Sequence, residues 1–177
     1  MTNALSPLVG PRIEGVGKWS VSVLGADDCI YGIPYNARRV VKFNPVDKSM
    51  TEIGPDFGGG EKKWLCGLLA NNGCIYCPPS QFNRILKIDT INGTVTILDV
   101  VLSIESSYDW TSGALAIDGC VYFMSYAARH ILKLDPEDDS LSRVGDDLDD
   151  DEECKYVGTV AGNDNCLYAF TLSDSIH

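Results

Sequence analysis

Seven cysteines among 177 residues are the first side chains in this sequence whose chemistry needs an explanation. A thiolate can bind zinc, close a disulfide or act as a nucleophile, and each role needs partners at set distances. Cys74 and Cys77 have Cys-x-x-Cys spacing, but residues three apart in an extended strand face opposite sides of a sheet. We therefore expect no metal site there. Cys66 and Cys77 flank the Asn72-Gly73 turn with the same strand parity, which leaves a disulfide between them open.

Residues for the familiar types of catalysis are sparse. The chain has two histidines, His130 and His177, and no Gly-x-Ser-x-Gly motif that would place a serine on a nucleophile elbow. The glycine run at 58–60 lacks the spacing and the following helix of a phosphate-binding loop. No pattern in the sequence indicates a cofactor. A non-catalytic role is therefore favoured, and an enzymatic one stays open.

The charge of the chain is concentrated in one segment. The formal net charge is −11, and residues 137–153 hold ten carboxylates and one arginine. Nucleic acid is not an expected partner, because phosphate binding needs a basic surface. The run at 146–153 lacks the spacing of a calcium-binding EF-hand loop, so a solvated loop is favoured. Weak calcium binding and docking of a basic partner are the alternatives for this loop.

The sequence shows no sign of membrane insertion or export. No segment approaches the run of about 20 apolar residues that a membrane helix needs, and residues 1–15 lack the pattern of a secretion signal. The cysteines are placed as core residues rather than as a disulfide framework, which is typical of a reducing compartment. We expect a soluble, intracellular domain with no membrane span.

Four of the cysteines mark an internal repeat, because each heads a Cys-aliphatic-Tyr triplet and they are 45 or 46 residues apart. These are Cys29, Cys74, Cys120 and Cys166. An aromatic residue stands ten positions before each of them, at Trp19, Trp64, Trp110 and Tyr156. A basic residue stands ten positions after the first three, at Arg39, Arg84 and His130. Cysteine at equivalent positions of successive units predicts packing between units rather than disulfides.

Each repeat predicts four short strands, which we label a to d. Strand a begins at the aromatic residue and ends about five residues before the cysteine. The turn residues that follow tolerate the positive φ of a tight hairpin, and they are Asp27-Asp28, Asn72-Gly73, Asp118-Gly119 and Asp164-Asn165. Strand b starts at the cysteine, and strand c shows the alternation of RVVKF, RILKI and HILKL. Strand d is one further short apolar segment, so each unit predicts an antiparallel meander without a helix.

Four antiparallel strands repeated every 46 residues or so resemble the blades of β-propellers, taken as the broad group that includes kelch, WD40 and NHL repeats. The resemblance extends over nearly the whole chain but selects no subfamily. Strand b lacks the Gly-Gly doublet of kelch repeats, and strand c lacks the Trp-Asp ending of WD40 repeats. The resemblance implies an all-β propeller of about four four-stranded blades.

The repeat predicts a single domain over residues 1–177. Its parts are an orphan outer strand at 1–16, blades at 17–61, 62–107 and 108–153, and a partial blade at 154–177. Because the last unit lacks strand c, two interpretations stay open. Either the chain forms a small four-bladed ring with one thinned blade, or it belongs to a larger ring completed by a partner chain or by further sequence. Unpaired sheet edges favour some form of completion.

The b–c loops and the d–a loops should share one face of the propeller. They gather polar and aromatic residues from several blades, as binding faces do. The candidate binding residues of these loops are Tyr35, Asn36, Arg38, Arg39, Gln81, Arg84, Tyr126, Arg129 and His130. Trp19, Trp64 and Trp110 should lie at the same face, although an aromatic residue in every blade is also typical of packing between blades.

These residues predict a non-catalytic interaction or scaffold module that binds a protein or glycan partner through its b–c and d–a loops. A second hypothesis places an anionic ligand or substrate at the channel mouth, among Arg39, Arg84, His130 and the aromatic residues. In a third, the chain is one subunit of a homo-oligomer or larger assembly, docked through its incomplete blade. The first is favoured because nothing in the sequence requires catalysis.

Overall fold

The computed structural model of the protein describes residues 13–99, 110–145 and 155–170, which form fourteen β-strands and no helix. The first blade holds β1 (Trp19–Leu24), β2 (Ile30–Pro34), β3 (Val40–Phe43) and β4 (Met50–Ile53). The second holds β5 (Leu68–Leu69), β6 (Cys74–Cys77), β7 (Leu86–Asp89) and β8 (Thr94–Ile97). The third holds β9 (Trp110–Leu115), β10 (Val121–Ser125), β11 (Ile131–Asp135) and β12 (Ser140–Val144), and the fourth holds β13 (Val157–Ala161) and β14 (Leu167–Phe170). None of the described segments is a helix long and apolar enough to cross a membrane.

Each sheet is an antiparallel meander whose strands follow chain order. The register between strands b and c is the same in three blades, where Tyr31 lies opposite Lys42, Tyr76 opposite Lys87 and Tyr122 opposite Lys133. Every a–b turn has a residue at positive φ, namely Asp28, Gly73, Gly119 and Asn165. The predicted all-β architecture of repeated antiparallel sheets is confirmed. Three sheets have four strands, and the fourth has two within the described residues.

Strand a of the second blade is shorter than predicted. We expected it to begin at Trp64, but β5 begins at Leu68, and Trp64 pairs with Pro79 only through an isolated bridge. The facing strand continues there as Pro78-Pro79, and proline has no N–H to donate to a ladder. In the first blade the same strand begins at Trp19, with one irregularity in its register.

The hydrophobic core lies between the sheets. One cluster joins Tyr31 and Ile33 of the first blade to Ile75 and Leu86 of the second. The other cluster joins the second and third blades through equivalent positions, and β13 of the fourth blade packs against β9. No packing of comparable extent joins the two described strands of the fourth blade to the first. The described blades therefore stack in chain order through their flat faces.

The repeated cysteines are core residues in three of the four blades. Cys29, Cys74 and Cys120 are buried, and Cys29 and Cys74 belong to the core clusters between sheets, as predicted. Cys166 is exposed, because no further sheet covers that side of the fourth blade within the described residues. Cys74 and Cys77 belong to clusters on opposite faces of β6, as strand parity predicts. Cys66 and Cys77 are free thiols rather than a disulfide, and burial raises the pKa of Cys66 to about 12.

A hydrogen-bonded ion pair holds strands b and c to the a–b turn in two of the blades. In the first blade, Asp27 accepts hydrogen bonds from Tyr31 at 3.0 Å and from Lys42 at 2.7 Å. The third blade repeats this arrangement around Asp118, which accepts from Tyr122 at 2.8 Å and from Lys133 at 3.0 Å. In both blades, the strand c lysine that lies opposite the strand b tyrosine is thus neutralised within its own blade.

The second blade obtains its carboxylate from its neighbour. Asn72 stands at the turn position where the other blades have aspartate, and Asp139 of the third blade takes over the role. Tyr76 donates to Asp139 at 2.6 Å, and Lys87 donates to it at 2.5 Å. Asn72 donates in turn to the Pro136 carbonyl at 2.8 Å. These bonds fasten the second blade to the third.

Candidate functional site

The b–c loop of the first blade, residues 35–39, is held by the backbone of Lys18. The N–H groups of Tyr35 and Ala37 each donate to the Lys18 carbonyl at 2.9 Å. The Phe57 N–H donates to the Arg38 carbonyl at 2.8 Å and so attaches the following d–a loop. The side chains of this loop are therefore carried by a backbone that is fixed at several points.

The three tryptophans fasten strand a to the b–c loop of the same blade. Each indole N–H donates to the main-chain carbonyl of the repeated basic residue, in the pairs Trp19–Arg39 (3.3 Å), Trp64–Arg84 (2.9 Å) and Trp110–His130 (3.1 Å). This bond explains the constant spacing of twenty residues between the two positions. Trp64 and Trp110 are buried, which leaves them a packing role, whereas Trp19 is half-buried and reaches the surface.

Three of the arginine side chains of this face are already paired within their own blades. Arg38 forms an ion pair with Asp56 at 2.6 Å, although 62% of its side chain stays exposed. Arg39 donates to a main-chain carbonyl at the end of strand d. Arg84 forms an ion pair with Asp99 at 3.2 Å. This pairing reduces the positive charge that an anionic ligand would meet.

One cavity on this face collects four of the predicted binding residues. It measures about 280 Å³, and its lining includes Trp19, Asn36, Arg38 and Arg39. The other charged residues of its lining are Glu14, Lys18, Glu52 and Asp56. Three cations and three carboxylates thus surround a half-buried indole ring. The surface is polar and balanced in charge, with one aromatic contact area.

The remaining predicted binding residues do not line this cavity. Gln81 is exposed on the second blade, and its N–H donates to the Lys62 carbonyl at 2.9 Å. Tyr126, Arg129 and His130 are half-buried on the third blade. The cavity therefore gathers four first-blade residues, and neither Tyr35 nor any predicted residue of the other blades lines it.

Two buried lysines hold the b–c loops of the preceding blades, a contact that the sequence patterns above did not predict. Lys63 is 2% exposed, and its ammonium group donates to the carbonyls of Gly60 (2.8 Å), Ala37 (3.2 Å) and Asn36 (3.4 Å). Lys155 is also buried and donates to the Ala127 carbonyl at 3.5 Å. Burial, which disfavours the charged form, lowers the pKa of Lys63. Both lysines connect one blade to the next.

A signal for this contact is nevertheless present in the sequence. A lysine precedes the aromatic residue in three of the four units, at Lys18-Trp19, Lys63-Trp64 and Lys155-Tyr156. The loops that the buried lysines hold are also alike, since residues 35–39 read YNARR and residues 126–130 read YAARH. The N–H groups of Lys63 and Lys155 donate to the carbonyls of Tyr35 and Tyr126 at 3.0 and 2.8 Å. The two motifs are therefore the two sides of one contact between blades.

The acidic run at 146–153, with its calcium and basic-partner hypotheses, lies outside the described residues. Within the described ranges, no group of three or more His, Cys, Asp or Glu side chains is placed to hold a metal ion. The hypotheses for the acidic run stay predictions.

Repeated antiparallel sheets that stack through their faces and present successive b–c loops on one side define a β-propeller repeat protein. No family model matches the sequence, and no curated protein matches it. The solved structures that the chain resembles are propeller proteins, and the resemblance is one of fold.

Three of these structures show how much of a propeller the chain spans. A catalytically inactive virginiamycin B lyase from Staphylococcus aureus, solved with quinupristin, has a TM-score of 0.69 and 16% identity, over 88% of this chain and 50% of the lyase. A streptogramin B lyase has a TM-score of 0.67 and 17% identity, over 86% and 47%. Hydrazine synthase from Kuenenia stuttgartiensis has a TM-score of 0.61 and 11% identity, over 90% and 45%. The chain thus spans about half the length of each.

Proposed function

We propose that the protein is a non-catalytic binding module and that the loop face of its first blade captures an extended segment of a protein partner. The supporting observation is the cavity of about 280 Å³, which sets three cations and three carboxylates around the half-buried Trp19. Charges of both signs beside an aromatic ring suit a polypeptide, which offers donors, acceptors and apolar side chains together. Loops on a rigid β-scaffold are a common place for such binding.

A purely anionic ligand fits the same cavity poorly. Arg38 is already paired with Asp56, and Glu14 and Glu52 add negative charge to the lining. A phosphate or carboxylate placed there would lie close to like charges, which weakens binding. The hypothesis of an anionic ligand is therefore the weaker of the two for this cavity.

The virginiamycin B and streptogramin B lyases are enzymes, but at 16 and 17% identity they support a propeller scaffold and no particular chemistry. The described lining of the cavity includes no histidine, cysteine or serine. It therefore offers no Ser-His or Cys-His pair of nucleophile and base. Binding is the role that this lining supports.

Selection from a displayed library of random peptides tests the proposal. Peptides selected on the wild-type protein are expected to bind the Arg38→Glu variant at least about tenfold more weakly, a change of about 1.4 kcal/mol. Arg143→Glu is the matched control, because it makes the same charge change at an exposed arginine on β12. Exposed ion pairs add only about 0 to 1 kcal/mol to stability, so both variants should fold. Equal binding to the two variants, or a selection without a consensus, would overturn the proposal.

A further inference from the structure

Several repeat positions that are buried between blades in the second and third blades are more exposed on the outer side of the first blade. Leu24 of β1 is 58% exposed, whereas its equivalents Leu69 and Leu115 pack against the two core clusters. Ile75 of β6 is fully buried at the position where Ile30 of β2 is only half-buried. We call this side of the first blade, with Leu24 and Ile30, the leading face. It has the pattern of a surface between blades, without a blade on it in the described residues.

A cavity of about 370 Å³ lies on the leading face. Its lining includes Ile30, Gly32, Val41 and Phe43. In the second blade the residues at these positions belong to the core cluster that the first blade covers, and they are Ile75, Cys77, Leu86 and Ile88. The leading face therefore matches, position by position, a surface that a blade covers elsewhere in the same molecule.

The outer side of the fourth blade is open in the complementary way. Tyr168 and Phe170 of β14 are 49% and 73% exposed, and Val160 of β13 is 57% exposed. In the first blade, Tyr31 and Ile33 stand at the positions of Tyr168 and Phe170 and are fully buried against the second blade. We call this side of the fourth blade, with Val160, Tyr168 and Phe170, the trailing face. Large apolar side chains exposed together on one sheet face are typical of an interaction site.

The charges beside the two faces are also complementary. Across the contact between the second and third blades, Lys87 reaches Asp139 at 2.5 Å. Lys48 holds the position of Asp139 in the first blade, with the same φ of 61°, and has no carboxylate partner among the described residues. Asp164 holds in the fourth blade the repeat position of Asn72 in the second. The Asn72 side chain contacts Pro136 in the c–d turn of the third blade. A trailing face seated on a leading face would bring Asp164 close to Lys48, with the signs of the internal ion pair exchanged.

We propose that two copies of this chain bind head to tail, with the trailing face of each copy covering the leading face of the other. Each contact continues the packing that already joins successive blades. Two such contacts related by a two-fold axis leave neither face open. The length agrees, because the chain spans 50% of the lyase propeller and two copies supply about one such propeller. This proposal goes beyond the function proposed for the loop face and rests on other observations, and Trp19 lines the cavities of both.

The mass of the 177-residue chain in solution, measured by analytical ultracentrifugation over a dilution series, tests this pairing. A dimer is expected. Phe170→Asp on the trailing face and Leu24→Asp on the leading face should each raise its Kd at least about tenfold. Both side chains are exposed in the single chain, so neither change removes a core contact. Ile117→Asp is the matched control and should leave Kd unchanged, because Ile117 is 76% exposed in a turn outside both faces.

Mixing the two face variants distinguishes head-to-tail pairing from other dimers. The Phe170→Asp chain keeps its leading face and the Leu24→Asp chain keeps its trailing face, so a mixed pair retains one intact contact. Association should therefore return in the mixture at a concentration where each variant alone is mostly monomeric. A dimer that survives both single changes, or a mixture that gains nothing, would overturn the proposal. A wild-type chain that is strictly monomeric would overturn it too, and would leave a different chain or further sequence as the cover.

The predicted ion pair gives a second and milder test. Lys48→Asp should weaken the dimer, because two carboxylates would then face each other, and aspartate is native at the equivalent position 139. Adding Asp164→Asn to the same chain should recover part of the lost affinity. Asparagine preserves the turn, since Asn72 accepts the equivalent N–H bond from Cys74 at 3.0 Å. A double variant no better than Lys48→Asp alone would contradict this docking register.

Discussion

The first and second blades share one sequence pattern but differ in what covers them. In the second blade, Trp64 is fully buried between Phe57 and Phe82, whose ring centroids lie 5.0 and 4.9 Å from its own. In the first blade, Trp19 makes the same hydrogen bond to its b–c loop but is only half-buried. The repeat thus determines the hydrogen bond, and the neighbouring blade determines the burial. A repeated residue has the same role in every blade but not the same energetic weight.

The ion pairs of the two blades show a second difference. Lys42 of the first blade is neutralised by Asp27 of the same blade, whereas Lys87 of the second blade depends on Asp139 of the third. The carboxylate comes from the neighbouring blade where the a–b turn has Asn72 in place of the aspartate of the first blade. The network of the first blade is therefore local, and that of the second blade couples it to its neighbour.

The largest effect is expected from removing the buried tryptophan. Trp64→Ala should lower the free energy of unfolding by about 3 to 5 kcal/mol, because it leaves a large cavity between Phe57 and Phe82. Trp19→Ala should lower it by roughly 1 to 3 kcal/mol, since less apolar surface is lost from a half-buried side chain. Denaturant unfolding at a concentration where the chain is monomeric measures both. Equal losses would show that the hydrogen bond, rather than burial, sets the weight of this position.

Much of the fold could be predicted from sequence because its information is periodic. The spacing of cysteine, aromatic and basic residues predicts where the strands lie. Because the unit occurs four times, the ends of each strand can be compared between units. The exception, the short β5, also has a sequence cause in Pro78-Pro79 on the facing strand. Local rules of turns and alternation therefore account for most of the architecture.

The candidate site could be predicted only in part, because its contacts join distant segments. The b–c loops were recognisable as polar, but the pairing of Arg38 with Asp56 depends on how a d–a loop folds back beside it. The burial of Lys63 depends on carbonyls of the preceding blade. The exposure of Cys166 depends on the lack of a covering sheet in the described chain. Such outcomes depend on which residues of other segments pack against a position, and a repeat pattern does not specify those residues.

A smaller effect is expected from the carboxylates of the ion pairs, and its location distinguishes the two blades. Asp139→Asn should lower the free energy of unfolding by roughly 1 to 2 kcal/mol, because Lys87 and Tyr76 lose a charged acceptor in a partly buried setting. Amide hydrogen exchange should rise in both β7 and β12. Asp27→Asn should raise exchange in the first blade alone, since its partner Lys42 belongs to that blade. Exchange confined to one blade in both variants would contradict the coupling between the second and third blades.

The smallest expected effect is a pH dependence at Asp118. Partial burial opposes ionisation of this carboxyl, but hydrogen bonds from Lys133, the Cys120 N–H and Tyr122 outweigh it and lower its pKa from 3.8 to about 2. Because the folded pKa lies below the ordinary value, the carboxylate contributes stability above about pH 4, and this contribution is lost as the pH falls through about 2. Calorimetry should show Tm falling more steeply over this range in the wild type than in Asp118→Asn, by about 1 to 3 °C. The difference is small because 41% of the Asp118 side chain is exposed and solvent screens its charge. Parallel curves would show that Lys133 neutralises Asp118 without stabilising the third blade.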